Sequence, residues 1–297
     1  MIFLNKRVKN TMIYSALLSM LLFVFPIMVS ADAIEGTTVV TLGENLTQEQ
    51  QNQLLREMGV ADDVEIIYVS NAEEHQYLGS YIDSATIGTR AISSAKITLT
   101  PEGAGLNVDT NNITRITEAM YLNALVTAGV QDADVYVTAP FGVSGTAGLT
   151  GVMKAFEVAT DTTISEEQKQ VANEEMVRTS ELGEKFGTDK ATELMTRLKE
   201  ELGDTKLETD EDYRNLILRI AGELNINLND DDVNALVHLL KRLKGLNIDW
   251  NQVGNQLKNI RDNIGEILDR EETRNFIRQF LDFVIQIVDS IKSWFSS

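Results

Sequence analysis

The stretch DADVYVTAPFGVSGTAGLTGVMKAFE, residues 132–157, decides the fold. Its opening, ADVYVTAP (133–140), has the β-branched and aromatic alternation of a strand. Four glycines follow at three-residue spacing, Gly142, Gly145, Gly148 and Gly151, and lead into the apolar helix GLTGVMKAFEVA. Strand, glycine turn and helix in that order cradle phosphates in some proteins and present nucleophiles in others, so each chemistry has to be tested. A phosphate loop of the Walker type needs a Gly-Lys pair at the helix start, whereas the nearest cation here, Lys154, lies a turn into the helix. The dinucleotide turn G-x-G-x-x-G is replaced by G-x-x-G-x-x-G. The nucleophile elbow G-x-S-x-G is missed by one position in GVSGT (142–146), where Gly145 follows Ser144 directly. Close packing of helix on strand, with Ala147 and Gly148 beneath a sheet, accounts for the glycines without a ligand.

Outward from this segment the elements alternate. TTVVTLG (37–43) reads as a strand, and Thr47 caps a helix that stops at Gly59. VEIIYVS (64–70) is a second strand, apolar enough for burial on both faces, and NAEEHQYLGSYI (71–82) is a short helix. SSAKITLTPEGAGLNVDTNNI (93–113) reads as two strands joined by a Pro/Gly turn, and TEAMYLNALVTAGV (117–130) as a helix ending at a glycine. The pattern predicts an α+β (or α/β) region over 34–160, a sheet layered with helices. From Ser165, which with Gln168 forms a capping box, the period is helical throughout. Stripes such as Ala191, Leu194, Met195, Leu198 and Leu202, or Val233, Leu236, Val237, Leu240 and Leu243, predict a helical bundle over 161–297.

The chain opens with Lys6, Arg7 and Lys9, an apolar run from Met12 to Val29, and small residues around Ala31 and Ala33. This is the pattern of a secretory signal over 1–33, with cleavage after Ala31 or Ala33 and an address outside the cytoplasmic membrane, secreted or bound to the cell wall. The formal net charge of −19 argues against nucleic acid as a partner. With no cysteine there are no disulfides, no thiol nucleophile and no thiolate zinc site, and two histidines rule out a histidine-rich one. No cofactor motif survives, so none is expected.

Three sets of residues remain as candidates. Ser144 and His75, both in the sheet region, are the only pair that fits a hydrolase, with His238 reading as structural. Asn107, Asp109, Asn111 and Glu118 fall at calcium-loop positions one, three, five and twelve, although position six is Asn112 where the loop needs glycine. NAEEH (71–75) offers Glu73, Glu74 and His75 to a metal, but further ligands would have to come from elsewhere. The third set lies on an amphipathic helix predicted at 274–297, where Phe276, Phe280, Phe283, Ile287, Trp294 and Phe295 make an apolar face broader than docking in a bundle requires. Such a face suits an envelope partner or peripheral contact with a membrane surface.

EEHQYLGSYI, IGTRAISSAKITL, GLNVDTNNIT, EAMYLNALVTAGV and VYVTAPFGVSGTAGLTGVMKAFE together resemble the YpuA-like family, exported proteins of unknown function from Gram-positive bacteria. The resemblance runs over nearly all of the chain beyond the leader and is densest over residues 65–160. It implies an extracytoplasmic address and a two-part organisation, and it brings no catalytic residue to carry over. The sequence thus favours a non-enzymatic binding or structural module, with a hydrolase using Ser144 and His75 as the alternative.

Overall fold

Thr38–Gly43 forms the first strand, β1, and the chain enters helix α1 (Gln48–Met58) through the predicted cap, the Thr47 hydroxyl accepting from the Gln50 amide. The structure, a computed structural model, describes residues 35–82 and 84–261. The segment 1–33 read as a signal and the helix read at 274–297 lie outside the described residues. Strands β2 (Glu65–Val69), β3 (Ser94–Leu99), β4 (Leu106–Ile113) and β5 (Ala133–Val143) complete one mixed sheet in the order β2-β1-β3-β5-β4. β1 with β2 and β4 with β5 are parallel pairs; β3 runs antiparallel to both its neighbours. Helices α2 (Asn71–Leu78), α3 (Ser84–Ile87), α4 (Glu118–Thr127) and α5 (Thr146–Thr160) belong to this half. The fold is therefore α+β.

Two local readings change in the sheet. β3 and β4 are joined by a short turn around Pro101, yet β5 lies between them, so they form no hairpin. β2 is an edge strand, not a buried one: Glu65 and Tyr68 are exposed and only Val69 is fully buried. Its apolar composition reflects packing on one side and at one end.

The register sorts the sheet into two faces. Val39, Thr41, Ala95, Ile97, Val135 and Val137 share the face covered by α5. On the other face α1 packs over β5, where Lys96 and Tyr136 bond to its last residues, and β4 adds polar side chains such as Asp109.

Beyond α5 come α6 (Glu166–Phe186), α7 (Thr188–Asp204), α8 (Asp210–Glu223) and α9 (Asp230–Gly245), then a helical run at 250–261, here α10. The Ser165 capping box is formed as predicted. The predicted stripes are buried, including Leu194, Leu198, Ile217, Ile220, Leu236 and Leu240, and together they make a core of their own. Helix α6 divides its burial: Ala172, Met176 and Val177 join the sheet core, while Val171 and Leu182 join the helical one. α10 returns to the sheet side, placing Val253, Leu257 and Ile260 in the sheet core.

All ten residues of α4 are buried, because β4 lies on one side of it and α6 and α7 on the other. An apolar all-round sequence is what such a position demands. Its few polar residues meet partners: Glu118 accepts from the Thr110 amide at 2.9 Å, and Asn123 bonds Thr196 of α7. Between α4, α6 and α7 lies an ion pair, Lys199–Glu175 at 2.9 Å, in which each side chain is only 1% exposed. Lys199 also donates to the Asn123 carbonyl at 2.7 Å, and the Thr127 hydroxyl donates to Glu175 at 2.5 Å. Burial pushes the Glu175 carboxyl up and the Lys199 ammonium down from their ordinary values, and their mutual attraction opposes both shifts. Replacing Lys199 by methionine is expected to destabilise the protein by about 3–5 kcal/mol, because it strands a carboxylate in a dry site. The double variant Lys199→Met/Glu175→Leu should recover most of that loss. Urea unfolding of the three proteins measures the difference.

Candidate functional site

The C-terminal ends of β1, β2, β4 and β5 all lie along one edge of the sheet, since these four strands run the same way. That edge is where open α/β sheets hold ligands, and it carries both Ser144 and His75. The glycine turn sits at the β5 end. Gly145, at φ +96°, caps α5 without a side-chain hydrogen bond, and its carbonyl accepts from the Tyr121 hydroxyl. A Cβ on Gly148 would stand 2.6 Å from both the Tyr121 hydroxyl and a Val137 methyl, and one on Gly151 2.6 Å from the Thr41 hydroxyl. The glycines let α5 lie down on the sheet, which is the packing role read from the sequence. The cation nearest them in sequence, Lys154, is committed elsewhere: it pairs with Glu73 at 2.6 Å and donates to the Tyr68 carbonyl.

Ser144 and His75 stand at opposite sides of this edge. The Ser144 hydroxyl lies 3.3 Å from the Thr146 hydroxyl, and His75 Nε2 lies 3.0 Å from the Gly88 carbonyl oxygen. β2, which leads into the helix of His75, is three strand spacings from β5, about 14 Å. α2 meets α5 where Glu73 grips Lys154, about 12 Å of helix rise from Thr146. No hydrogen bond joins the two side chains among the described residues.

Beside His75 the structure singles out Glu74, which the sequence offered only as a possible metal ligand. Its side chain is buried, and burial pushes its carboxyl up to about 7, against the opposing effect of the hydrogen bond from Asn71 at 2.9 Å. Glu44, at the end of β1, adds a nearby negative charge and accepts from the Asn71 amide. A carboxyl that titrates near neutrality is a proton donor or acceptor in chemical terms, and its charged neighbours here are His75 and Glu44.

The calcium pattern is not assembled. Asn107, Asp109 and Asn111 lie at alternate positions of β4 on the polar face, so neighbouring members are about 6.6 Å apart along the strand. Glu118 is buried on α4 and bonded to the Thr110 amide. A loop that wraps an ion needs a tight turn at the sixth position; Asn112 there takes a left-handed φ of +58°, but only as a bulge within β4, whose residues on either side stay paired with β5. Among the described residues no group of three or more His, Asp or Glu side chains is placed to hold a metal ion, and no helix is long and apolar enough to cross a membrane. What β4 and β5 build instead is a seat for Glu57 of α1, which accepts from Thr138 at 2.7 Å, Tyr136 at 2.8 Å and Asn111 at 2.9 Å. Burial raises its carboxyl, but the three donors outweigh that and hold it below the usual range. Glu57 reads in the sequence as one more charge on a helix surface, because its partners come from 54 to 81 residues away. Phe276, Phe280, Phe283, Ile287, Trp294 and Phe295 lie outside the described residues.

A cavity of about 500 Å³ opens between α8 and α9, with Arg214, His238, Lys241 and Arg242 in its wall. Each of these groups is answered by an acceptor. Lys241 pairs with Asp210 at 2.7 Å, Arg214 donates to Asn234, Arg242 binds Glu174 and Glu167, and His238 lies 3.3 Å from Glu174. Arg242 also donates to the Tyr81 hydroxyl at 2.6 Å, which ties the bundle to the sheet half. These pairs cross-link α6, α8 and α9 and leave no free cation among the four.

The class defined by this fold and by residues 42–260 is the family described as Protein of unknown function (DUF1002), and the chain belongs to it. It is 47% identical over 278 residues to the uncharacterized protein YpuA of Bacillus subtilis (strain 168), covering 93% of this chain and 96% of that one. No solved structure matches the chain.

Two substitutions test the physical roles assigned here. Gly148→Ala should cost about 2 kcal/mol or more, since the Tyr121 ring and Val137 must both give way; thermal melting against wild type reads it. For Glu74 the folded pKa lies above the unfolded one, so its contribution to stability is fully present below about pH 4.5 and is lost as pH rises through about 7. Wild type should therefore lose up to about 3 kcal/mol between pH 5 and pH 8 relative to Glu74→Gln, measured by denaturant unfolding across that range.

Proposed function

We propose that this chain is an exported protein, envelope-associated or secreted, that acts by binding rather than by catalysis. The leader pattern over 1–33 supports the address. The observation that carries the binding reading is the separation of Ser144 from His75, each engaged with its own neighbour at opposite sides of the sheet edge. Every catalytic template in the sequence misses a required position, and these two side chains were the remaining pair. The partner is a component of the envelope, and the apolar residues of 274–297 are its contact, with a peripheral membrane surface as the other chemistry that this face suits.

Cell fractionation with mass spectrometry tests the address: an N-terminus at Asp32 or Ile34 in the medium or wall fraction is expected. A full-length chain confined to the membrane overturns it. For the mode of action, the purified protein should hydrolyse a simple ester such as p-nitrophenyl acetate no faster than its Ser144→Ala variant. Turnover that disappears with Ser144 would make the chain a hydrolase.

A further inference from the structure

A polar recess lies where α7 meets α10. It has a volume of about 710 Å³, and Trp250, Gly203, Gly254, Asn251, Asn255 and Lys258 are in its wall. That volume is within the roughly 300–1,000 Å³ of small-ligand sites. Trp250 is held in place from behind. It packs against both hydrophobic cores, the Lys244 ammonium lies 5.7 Å from its ring centroid, and Lys244 is itself fixed by donating to the Leu202 carbonyl at 2.6 Å. Gly203 lies against the ring at ordinary contact distance, its position for a Cβ being 3.5 Å from the indole. The wall therefore presents one fixed aromatic surface among polar groups.

Those polar groups divide into two kinds. The charges on the α7 side are already paired: Arg261 with Glu200 at 2.6 Å, Arg197 with Glu223, and Glu201 with Arg219. The side chains of Asn251, Asn255 and Lys258 on α10 make no hydrogen bond among the described residues and line the opening. Asparagine offers donors and an acceptor together, and an indole offers an apolar face with no charge. This combination matches a ligand that is apolar on one face and hydroxylated on its rim. Of the charged groups in the wall only Lys258 is unpaired among the described residues, which is too little to hold a dense anion against the net charge of −19. A lipid or the phenylalanine-rich sequence of 274–297 would leave the asparagines and the lysine without partners.

We infer that this recess is a binding site for a neutral oligosaccharide, with Trp250 as the stacking platform and Asn251, Asn255 and Lys258 as hydrogen-bonding contacts. The inference deepens the reading of the chain as a binding module by naming the site and its ligand class. Gly254 gives the means of closing the site without harming the fold: nothing lies within 4 Å of a Cβ built there, and its helical position gains propensity from a longer side chain.

The test uses the intact chain carrying Trp294→Phe, which leaves Trp250 as the sole tryptophan. Titration with chitotriose and with maltotriose is followed by tryptophan fluorescence and calorimetry, with inorganic phosphate as the anion control. A saturable change with at least one sugar is expected, weakened tenfold or more in Gly254→Gln, whose melting temperature should be no lower than its parent's. No response to either sugar, equal binding by Gly254→Gln, or a response to phosphate alone overturns the inference. Its failure is separable from that of the wider reading, which rests on fractionation and ester turnover. Conversely, cleavage of a bound sugar would keep the site and overturn the non-enzymatic reading.

Discussion

Two layers of this protein meet across a charge pair buried from solvent. Lys199 and Glu175 are each 1% exposed, and the helices that carry them, α7 and α6, are joined to the sheet half through Asn123 and Thr127 of α4. A lone ammonium or carboxylate in such a place would cost several kcal/mol, so the three helices must close together for any of these groups to be satisfied. Apolar side chains alone would let α6 and α7 slide or rotate against α4 at small cost. The ion pair and its two neighbouring hydrogen bonds tolerate one arrangement. The fully buried α4 and the shared burial of α6 are the packing in which that joint is set.

Much of this was legible in the sequence, and the reason is that local periodicity reports burial. The Thr47 and Ser165 caps, the stripes of the bundle and the glycine-driven approach of α5 to the sheet depend on residues within a few turns of one another. β2 was misread because an apolar pentapeptide looks the same at an edge as in the centre; what made it an edge was the placement of β3 beside β1, a decision taken some 30 residues later. The calcium pattern failed for a related reason. Spacing along the chain is meaningful for a ligand loop only if the backbone wraps round, and in β4 the left-handed Asn112 makes a bulge while the pairing with β5 continues past it.

The groups of greatest chemical interest were the least visible. Glu57 and Glu74 are ordinary helix glutamates in sequence, and their opposite shifts arise from partners and burial that only the fold supplies. Trp250 packs against both cores, which its place in the sequence does not reveal. Its exposure to a recess depends on the absence of side chains at Gly203 and Gly254, which lie on different helices. Membership of a family of unknown function adds no residue assignment, so these features stand on geometry alone.

The insertion of β5 between β3 and β4 sets the order in which the chain can fold. β3 and β4 emerge together, yet neither can pair with the other; both wait for 133–143, and β3 otherwise pairs only with β1, some 57 residues behind it. Short-range zippering is thus barred at the centre of the sheet, and loop-closure entropy has to be met before the sheet gains stability. A chain delivered from its N-terminus, whether by a ribosome or through a membrane channel, holds no finished sheet until nearly half its length is out. The segment 132–157 that decides the architecture is also the one whose arrival permits it.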